Sequence, residues 1–338
     1  MTTTTEPRSN DLPPARLVTE STLAAGEIVP LIVQPAVPGV NLVAWTRENR
    51  DYVHARLLRH GAILFRGFDM ATIPEFERWA GSLVEGELFG EYNDLPHEQG
   101  KIYGTTPYPP DKAILFHNES SHMHRWNAHQ FFFCIQPSQT GGRTPILDCR
   151  EAYRVLDPKI VELFETKGLL YVRNFVDGFD VPWQQFFHTD DKAKVEAYCK
   201  EHGVLAEWKK GGGLRLKQRA PGVIVHPKTH EKLFFNQVQL HHISCVDPKV
   251  RKSLQMLFKP EDLPRNVYYG DGTPIPDETM AEIDRVYWKI AKQFDWQPRD
   301  VIAIDNMLVS HARLPYSGPR KIVVAMGDLI YQKDFFTH

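Results

Sequence analysis

The tetrapeptide Phe116-His117-Asn118-Glu119 closes an apolar run that begins at Ala113. In an extended strand, residues i and i+2 point to one face about 6.5 Å apart. The imidazole of His117 and the carboxylate of Glu119 can therefore reach one cation between them. That donor pair is borderline to hard and suits divalent iron. A third donor has to come from elsewhere, and His311, behind the apolar run at Val301 and the Asp305-Asn306 pair, is the candidate. Two histidines and one carboxylate on one face of an octahedron leave three positions open, as in non-haem iron oxygenases.

Other histidines compete for a metal. His122 and His124 look like the first half of a cupin metal motif, which would serve a zinc or manganese isomerase. That motif also needs a glutamate about four residues further on, where Ala128 and His129 stand. No His-Glu-x-x-His is present, which excludes a zinc-protease helix by that test. No Gly-x-Ser-x-Gly elbow occurs, and the single cysteines have no identifiable partner base. Otherwise His122, His124, His226, His241 and His242 read as surface or hydrogen-bonded core histidines.

The elements that must position these groups are marked by their ends. Thr72-Ile73-Pro74-Glu75 is a capping box opening a helix that runs to Gly86. Asp157-Pro158 and Asp247-Pro248 each offer an N-cap followed by proline, and Gly168 and Gly203 stand where helix C-termini place glycine. Residues 277–294 form the longest helical pattern, with Met280, Ile283, Val286, Tyr287 and Ile290 three and four apart. Short β-branched or aromatic runs lie at 62–65, 113–116, 130–133, 169–172, 223–225, 233–235, 301–304 and 321–325. They do not alternate strictly with helices, which argues against a doubly wound sheet and for a mainly β, largely antiparallel core with peripheral helices. Gly211-Gly212-Gly213 reads as a flexible hairpin or lid loop, lacking the Lys-Ser/Thr of a phosphate loop. Residues 1–14 read as a flexible arm and 15–338 as a single domain, with a mixed insertion at about 151–297.

Composition narrows the partners. A chain of 338 residues, 42% hydrophobic, can bury a large core, and a net charge of −2 leaves no basic excess for phosphates. Nucleic acid is not expected. The apolar runs fall well short of the roughly 20 residues needed to cross a bilayer. The Thr-rich start lacks the basic-then-apolar order of a signal peptide, so a cytoplasmic protein is expected. Cys134, Cys149, Cys199 and Cys245 stand singly, as reduced thiols do.

Taken together, Phe116-His117-Asn118-Glu119, then Gly141-Gly142-Arg143-Thr144-Pro145, then Asp305-Asn306 and His311-Ala312-Arg313 leading through Pro315-Tyr316 and Gly318-Pro319 to Arg320, resemble the taurine dioxygenase-like family of iron(II)/2-oxoglutarate enzymes. The resemblance runs from Gly61 to Met326 and takes in Tyr171-Val172-Arg173-Asn174, His226-Pro227, Phe235-Asn236-Gln237 and the segment 263–272. Within the family the chain is most similar to amino-acid oxygenases of nonribosomal peptide and other specialised metabolism. The resemblance implies a double-stranded β-helix, a jelly-roll or cupin-like barrel with the metal near its mouth.

It also implies roles. His117, Glu119 and His311 match the metal triad; Thr144 matches the residue that hydrogen-bonds the distal carboxylate of 2-oxoglutarate, and Arg320 the arginine that pairs with it. A planar guanidinium suits that carboxylate bidentately. Arg320 follows His311 at a shorter spacing than in taurine dioxygenase. It is preferred to Arg313 because it opens the apolar strand 321–325, whose neighbour is expected to present His311. Arg313 is left as a salt bridge or substrate contact. Iron(II), 2-oxoglutarate and O2 would together hydroxylate an aliphatic carbon of an amino acid, free or on a carrier protein, with desaturation, epoxidation or cyclisation as other outcomes. A non-catalytic metal-binding barrel would not need Thr144 and Arg320. Asn236, Gln237 and Gln239 are candidate substrate contacts, and the aromatics at 131–133, 234–235 and Trp183 are candidate walls.

Overall fold

A computed structural model of the chain describes residues 17–90, 96–176 and 178–335. The expected N-terminal arm at 1–14 lies outside the described residues. The chain folds as two compact units: Met1–Ile114, Asn127–Asp148 and Ala291–Leu329 form the first, and Leu115–Trp126, Cys149–Ile290 and Ile330–His338 the second.

The first unit is built on an eight-stranded sheet. In spatial order its strands are Val18–Thr22, Leu31–Pro35, Ala62–Phe65, Val301–Asp305, Arg125–Gln136, Lys321–Tyr331, Ile102–Gly104 and His97–Gln99. The alternation of strand side chains sorts its residues onto two faces. Leu31, Val33, Ile63, Phe65, Phe131, Phe133, Val301, Ala303, Val323 and Ala325 form one buried cluster with Trp45, Leu57, Phe76 and Trp79. The last four belong to helices Leu42–Glu48, Arg50–His60 and Ile73–Leu83. Alternate residues such as Phe132 and Ile302, partners in register, look to the other face. The antiparallel expectation holds for most registered pairs, with Leu31–Pro35 beside Ala62–Phe65 as a parallel exception.

Smaller ladders in this unit carry the motifs. Val309–Arg313 pairs antiparallel with Ile146–Asp148, setting His311 opposite Ile146. Thr140–Gly141 pairs with Tyr316–Ser317. The strand Lys321–Tyr331 lies between Arg125–Gln136 and Ile102–Gly104, so its neighbours do not present His311. The expectation that they would is corrected: residues 314–320 cross from one sheet to the other, and Arg320 therefore needs a different argument.

The second unit holds a four-stranded antiparallel sheet, ordered Val204–Trp208, Leu214–Ala220, Leu169–Phe175 and Arg265–Tyr269. The glycine run forms the hairpin turn between the first two, Lys209 and Gly213 bonding across it. Phe175, Trp183, Val195, Cys199 and Leu214 make a small core between this sheet and helices Trp183–Phe187 and Lys192–Glu201. Asp157 and Asp247 cap helices Pro158–Lys167 and Pro248–Leu257 as their sequences require.

The mainly β expectation is corrected: helix and strand take equal shares. Helices without a proline start, such as Leu42–Glu48, Arg50–His60 and Cys149–Val155, make up the difference. The long helix covers Asp277–Ile290 and buries the anticipated stripe, ending before Phe294. No described helix is long and apolar enough to cross a membrane, and all four cysteines are free thiols.

Candidate metal and 2-oxoglutarate site

The strand Ile114–His117 ends on His117, so Glu119 lies in the turn beyond it rather than in an extended strand. Ser120, at φ 59°, turns the backbone sharply there. The pair still converges: His117 Nε2 stands 3.7 Å from Glu119 Oε2. His117 Nδ1 lies 2.8 Å from the Leu115 carbonyl, which can only accept, so the ring proton sits on Nδ1. That leaves the Nε2 lone pair facing the carboxylate, the tautomer a metal ligand needs. Bonds of about 2 Å from one ion to each donor span such a gap.

Asn118, between the two donors, fixes the turn. Its backbone N–H donates to the Asn236 carbonyl at 3.2 Å, and its Oδ1 accepts from the Asn236 backbone N–H at 3.3 Å. Gln239 holds the strand end by accepting from the Phe116 N–H at 3.1 Å while donating to Asp284. Asn236 and Gln239, candidate substrate contacts by sequence, thus support the ligand turn. One ligand atom from each of His117, Glu119 and His311 lies within 4.8 Å of the other two, and no other group of three His, Cys, Asp or Glu meets this test among the described residues.

His311 is set by its own strand. Asp305 Oδ1 accepts from the Met307 and Leu308 N–H groups, turning the chain into Val309–Arg313. Gly61 permits that turn to pack, since a Cβ there would stand 2.6 Å from Val309 Cγ2. The His311 ring lies edge-on to Phe132, centroids 5.4 Å apart.

The Gly-Gly-Arg-Thr segment and residues 315–320 lie against each other through the Thr140–Gly141 ladder. A Cβ on Gly142 would come within 3.3 Å of Arg320 Cδ and 2.3 Å of Ser138 Oγ, so only glycine fits. Thr144 is buried, and its Oγ1 accepts from Trp296 Nε1 at 3.0 Å. A hydroxyl that accepts there keeps its proton to donate to a carboxylate. The Arg320 guanidinium packs over Tyr316 and makes no hydrogen bond or ion pair among the described residues. Burial, and then the charge of Arg313, push its pKa down to about 10. A half-buried cation lacking a counter-charge is a ready carboxylate receptor. Arg313 differs: it donates to the carbonyls of Tyr108, Pro109 and Lys112. Those bonds, all from its two terminal nitrogens, brace a loop.

The competing histidines go elsewhere. Gln237 Nε2 lies 2.6 Å from His122 Nδ1, and His124 stacks on His202 at 3.9 Å. His226 Nδ1 accepts from the Lys228 and Thr229 N–H groups, and His242 Nδ1 bonds the Ser244 hydroxyl. Phe131, Phe133, Phe234 and Phe235 are core residues, and Phe132, among the anticipated aromatic walls, lies edge-on to the candidate ligand His311. Sequence reasoning misses the roles of Trp296 and Asn118. Asn118 lies inside the ligand motif, where its position is the signal; Trp296 carries no local signal.

The family model described as taurine catabolism dioxygenase TauD, TfdA family matches residues 25–326. The dapdiamide synthesis protein DdaC of Enterobacter agglomerans is 36% identical over 279 residues, covering 81% of this chain and 84% of that protein. A clavaminate synthase-like protein of Arabidopsis thaliana is 27% identical, covering 88% and 93%. Among solved structures, PvcB, an Fe, alpha-ketoglutarate dependent oxygenase from an isonitrile synthetic pathway, superposes with TM-score 0.54 at 15% identity, covering 91% and 90%. A taurine dioxygenase of Burkholderia xenovorans gives TM-score 0.51 at 15% identity, covering 92% and 90%. With the family model matched over most of its length, the chain belongs to the TauD, TfdA family and is an iron(II)- and 2-oxoglutarate-dependent dioxygenase.

Proposed function

We propose that the protein hydroxylates an aliphatic carbon of an amino acid or amino-acid derivative, free or carrier-tethered, in specialised metabolism in the cytoplasm. His117, Glu119 and His311 hold the iron, and Thr144 with Arg320 holds the distal carboxylate of 2-oxoglutarate. The observation that carries this reading is the approach of the three ligand atoms within 4.8 Å. The names of two relatives support the metabolic setting, one in dapdiamide synthesis and one in an isonitrile pathway.

Iron with 2-oxoglutarate and O2 supplies the oxidising power for C–H hydroxylation, leaving succinate and carbon dioxide. The chain supplies positions. His117 presents Nε2 because Leu115 holds its Nδ1 proton. Asn118, clamped by Asn236, keeps Glu119 turned toward the same point. Trp296 fixes the Thr144 hydroxyl so that its proton can point at a carboxylate oxygen, and Arg320 offers the matching charge in a desolvated place, where a charge-assisted pair is strong.

The test is turnover with amino acids and their N-acyl, amide and carrier-bound derivatives, read by mass spectrometry. A product heavier by one oxygen atom, formed with one succinate, supports hydroxylation. A product lighter by two hydrogens assigns desaturation or cyclisation instead. No substrate-dependent succinate from any of them overturns the substrate class.

A further inference from the structure

The turn that carries Glu119 goes on to carry His122. It is closed by the Ser121 N–H on the Asn118 carbonyl at 3.2 Å and by the Met123 N–H on the Ser120 carbonyl at 2.8 Å. The Glu119 carboxylate acts electrostatically on the His122 ring, so the two lie near each other. His122 and His241 border a cleft of about 660 Å³, counting its open mouth, within the second unit. Met123, Phe186, Phe187, Val204 and Leu216 give that cleft an apolar side. Arg173 and Arg265, also in its wall, are bonded to Asp180.

The two imidazoles are neighbours, ring centroids 4.8 Å apart, and one residue sets the proton on both. Gln237 Nε2, which can only donate, lies 2.6 Å from His122 Nδ1, so that nitrogen accepts and His122 carries its proton on Nε2. The Gln237 backbone carbonyl, which can only accept, lies 3.3 Å from His241 Nδ1. His241 therefore carries its proton on Nδ1 and keeps a lone pair on Nε2. Gln237 is itself held, its N–H donating to Tyr171 Oη at 3.2 Å, and the Tyr171 ring lies edge-on to both imidazoles. Burial keeps the rings neutral near pH 7. It pushes His122 down to about 3, with the charge of Arg265 adding and Glu119 opposing, and holds His241 well below its ordinary value. Neither Nε2 has a hydrogen-bond partner among the described residues. The cleft thus presents one donor, His122 Nε2–H, beside one acceptor, His241 Nε2.

We propose that this cleft binds the organic substrate through a primary carboxamide, whose oxygen accepts from His122 Nε2–H and whose N–H donates to His241 Nε2. The apolar part of the molecule lies against Phe186, Phe187 and Leu216. This deepens the reading of the chain as an oxygenase of amino-acid derivatives, and rests on it. A primary carboxamide carries an acceptor and a donor on one edge, as the two rings require. A carboxylate would set a lone pair against His241, and an ammonium would set an N–H against His122. An ester or ketone pairs with His122 and leaves His241 unpaired, which costs free energy once water is excluded.

The test is anaerobic calorimetric titration of the full chain, loaded with iron(II) and 2-oxoglutarate, with N-acetyl-L-leucinamide, the corresponding methyl ketone and N-acetyl-L-leucine. The amide is expected to bind at least about tenfold tighter than either of the others, because each of those leaves His241 without a donor. His241→Phe should erase the preference over the ketone, whereas His122→Phe should weaken amide and ketone alike. Both variants should bind 2-oxoglutarate as the parent does, and the parent series alone decides the matter if either does not. Nitrogen-15 spectra of the histidine-labelled chain, taken before iron is added, should show His122 protonated on Nε2 and His241 on Nδ1. Equal binding of amide and ketone, tighter binding of the carboxylate, no binding of any probe, a preference that survives His241→Phe, or His122 protonated on Nδ1 would overturn the proposal. Failure of 2-oxoglutarate to bind the parent chain would instead overturn the site assigned under the proposed function, and the leucine series would still be read on its own.

Discussion

The indole N–H of Trp296 donates to the hydroxyl of Thr144 at 3.0 Å, across 152 residues of sequence. That bond sets which way the threonine proton can point. Thr144→Val, nearly equal in shape, should raise the 2-oxoglutarate requirement about tenfold or more, the loss expected for one hydrogen bond to a charged group. Trp296→Phe should raise it by less and leave iron affinity alone. Titration of 2-oxoglutarate against succinate production measures both.

Arg320 and Arg313 separate by what each already bonds. Arg320→Ala removes the cation that makes no hydrogen bond or ion pair among the described residues and should cost roughly 2–5 kcal/mol of 2-oxoglutarate binding, about 30-fold and upward. Arg313→Ala should fall first on stability, because its guanidinium bridges the carbonyls of Tyr108, Pro109 and Lys112. Thermal melts beside 2-oxoglutarate titrations distinguish them, and the opposite ranking would make Arg313 the anchor.

Much of this site is legible in the sequence, and the reasons are local. His117 and Glu119 lie within one tetrapeptide, and the Thr72 capping box is a four-residue pattern that the structure reproduces. What cannot be read depends on non-local pairing. The sequence does not say that Asn236 clamps Asn118, or that Arg313 meets carbonyls about two hundred residues earlier. Nor does periodicity reveal that residues 314–320 cross between sheets, because a short Pro- and Gly-rich link reads alike in either topology. The excess of helix over expectation comes from helices whose caps are quieter. Asn41 accepts from the Ala44 N–H, and Gly61 ends Arg50–His60 in a left-handed conformation. Both signals are present in the chain, though neither stands beside a proline.

Gly61 ties that helix end to the strand bearing His311. Gly61→Ala would force a Cβ to within 2.6 Å of Val309 Cγ2 and hold alanine at φ +69°. The expected loss is about 1–3 kcal/mol of stability, with weaker iron binding, because Val309 is two residues from His311. Chemical denaturation with and without iron(II) reads both effects. A variant as stable as the parent would remove Gly61 from the account.

Acid sensitivity should report on His122. Its folded pKa of about 3 lies below the ordinary 6.5, so as pH falls through 6.5 the unfolded chain takes up a proton the folded chain refuses. Stability therefore drops with falling pH from about 6.5 down toward 3. His122→Gln should remove part of that slope, worth roughly 2–3 kcal/mol at pH 4, while His241 keeps contributing in the same direction. Urea titrations at pH 7 and pH 4 test it, and an unchanged slope would show that His122 protonates freely in the fold.

Glu119 bears on reaction outcome. A carboxylate in the third protein position fills the place a halide would take on iron and adds negative charge there. The protein should oxygenate or desaturate without halogenating, even in high chloride or bromide. Mass spectrometry of products formed with halide present checks this, and a halogenated product from the unmodified protein would remove Glu119 as a ligand.

The most direct test is to add iron(II) and then 2-oxoglutarate to the protein without oxygen and look for the weak visible charge-transfer band of the chelate. The band is expected in the parent chain and in His122→Ala, is lost in His117→Ala, Glu119→Ala and His311→Ala, and appears only at raised 2-oxoglutarate in Arg320→Ala. No band in the parent, or a band that survives His117→Ala and vanishes in His122→Ala, would contradict the assignment of the metal to His117, Glu119 and His311.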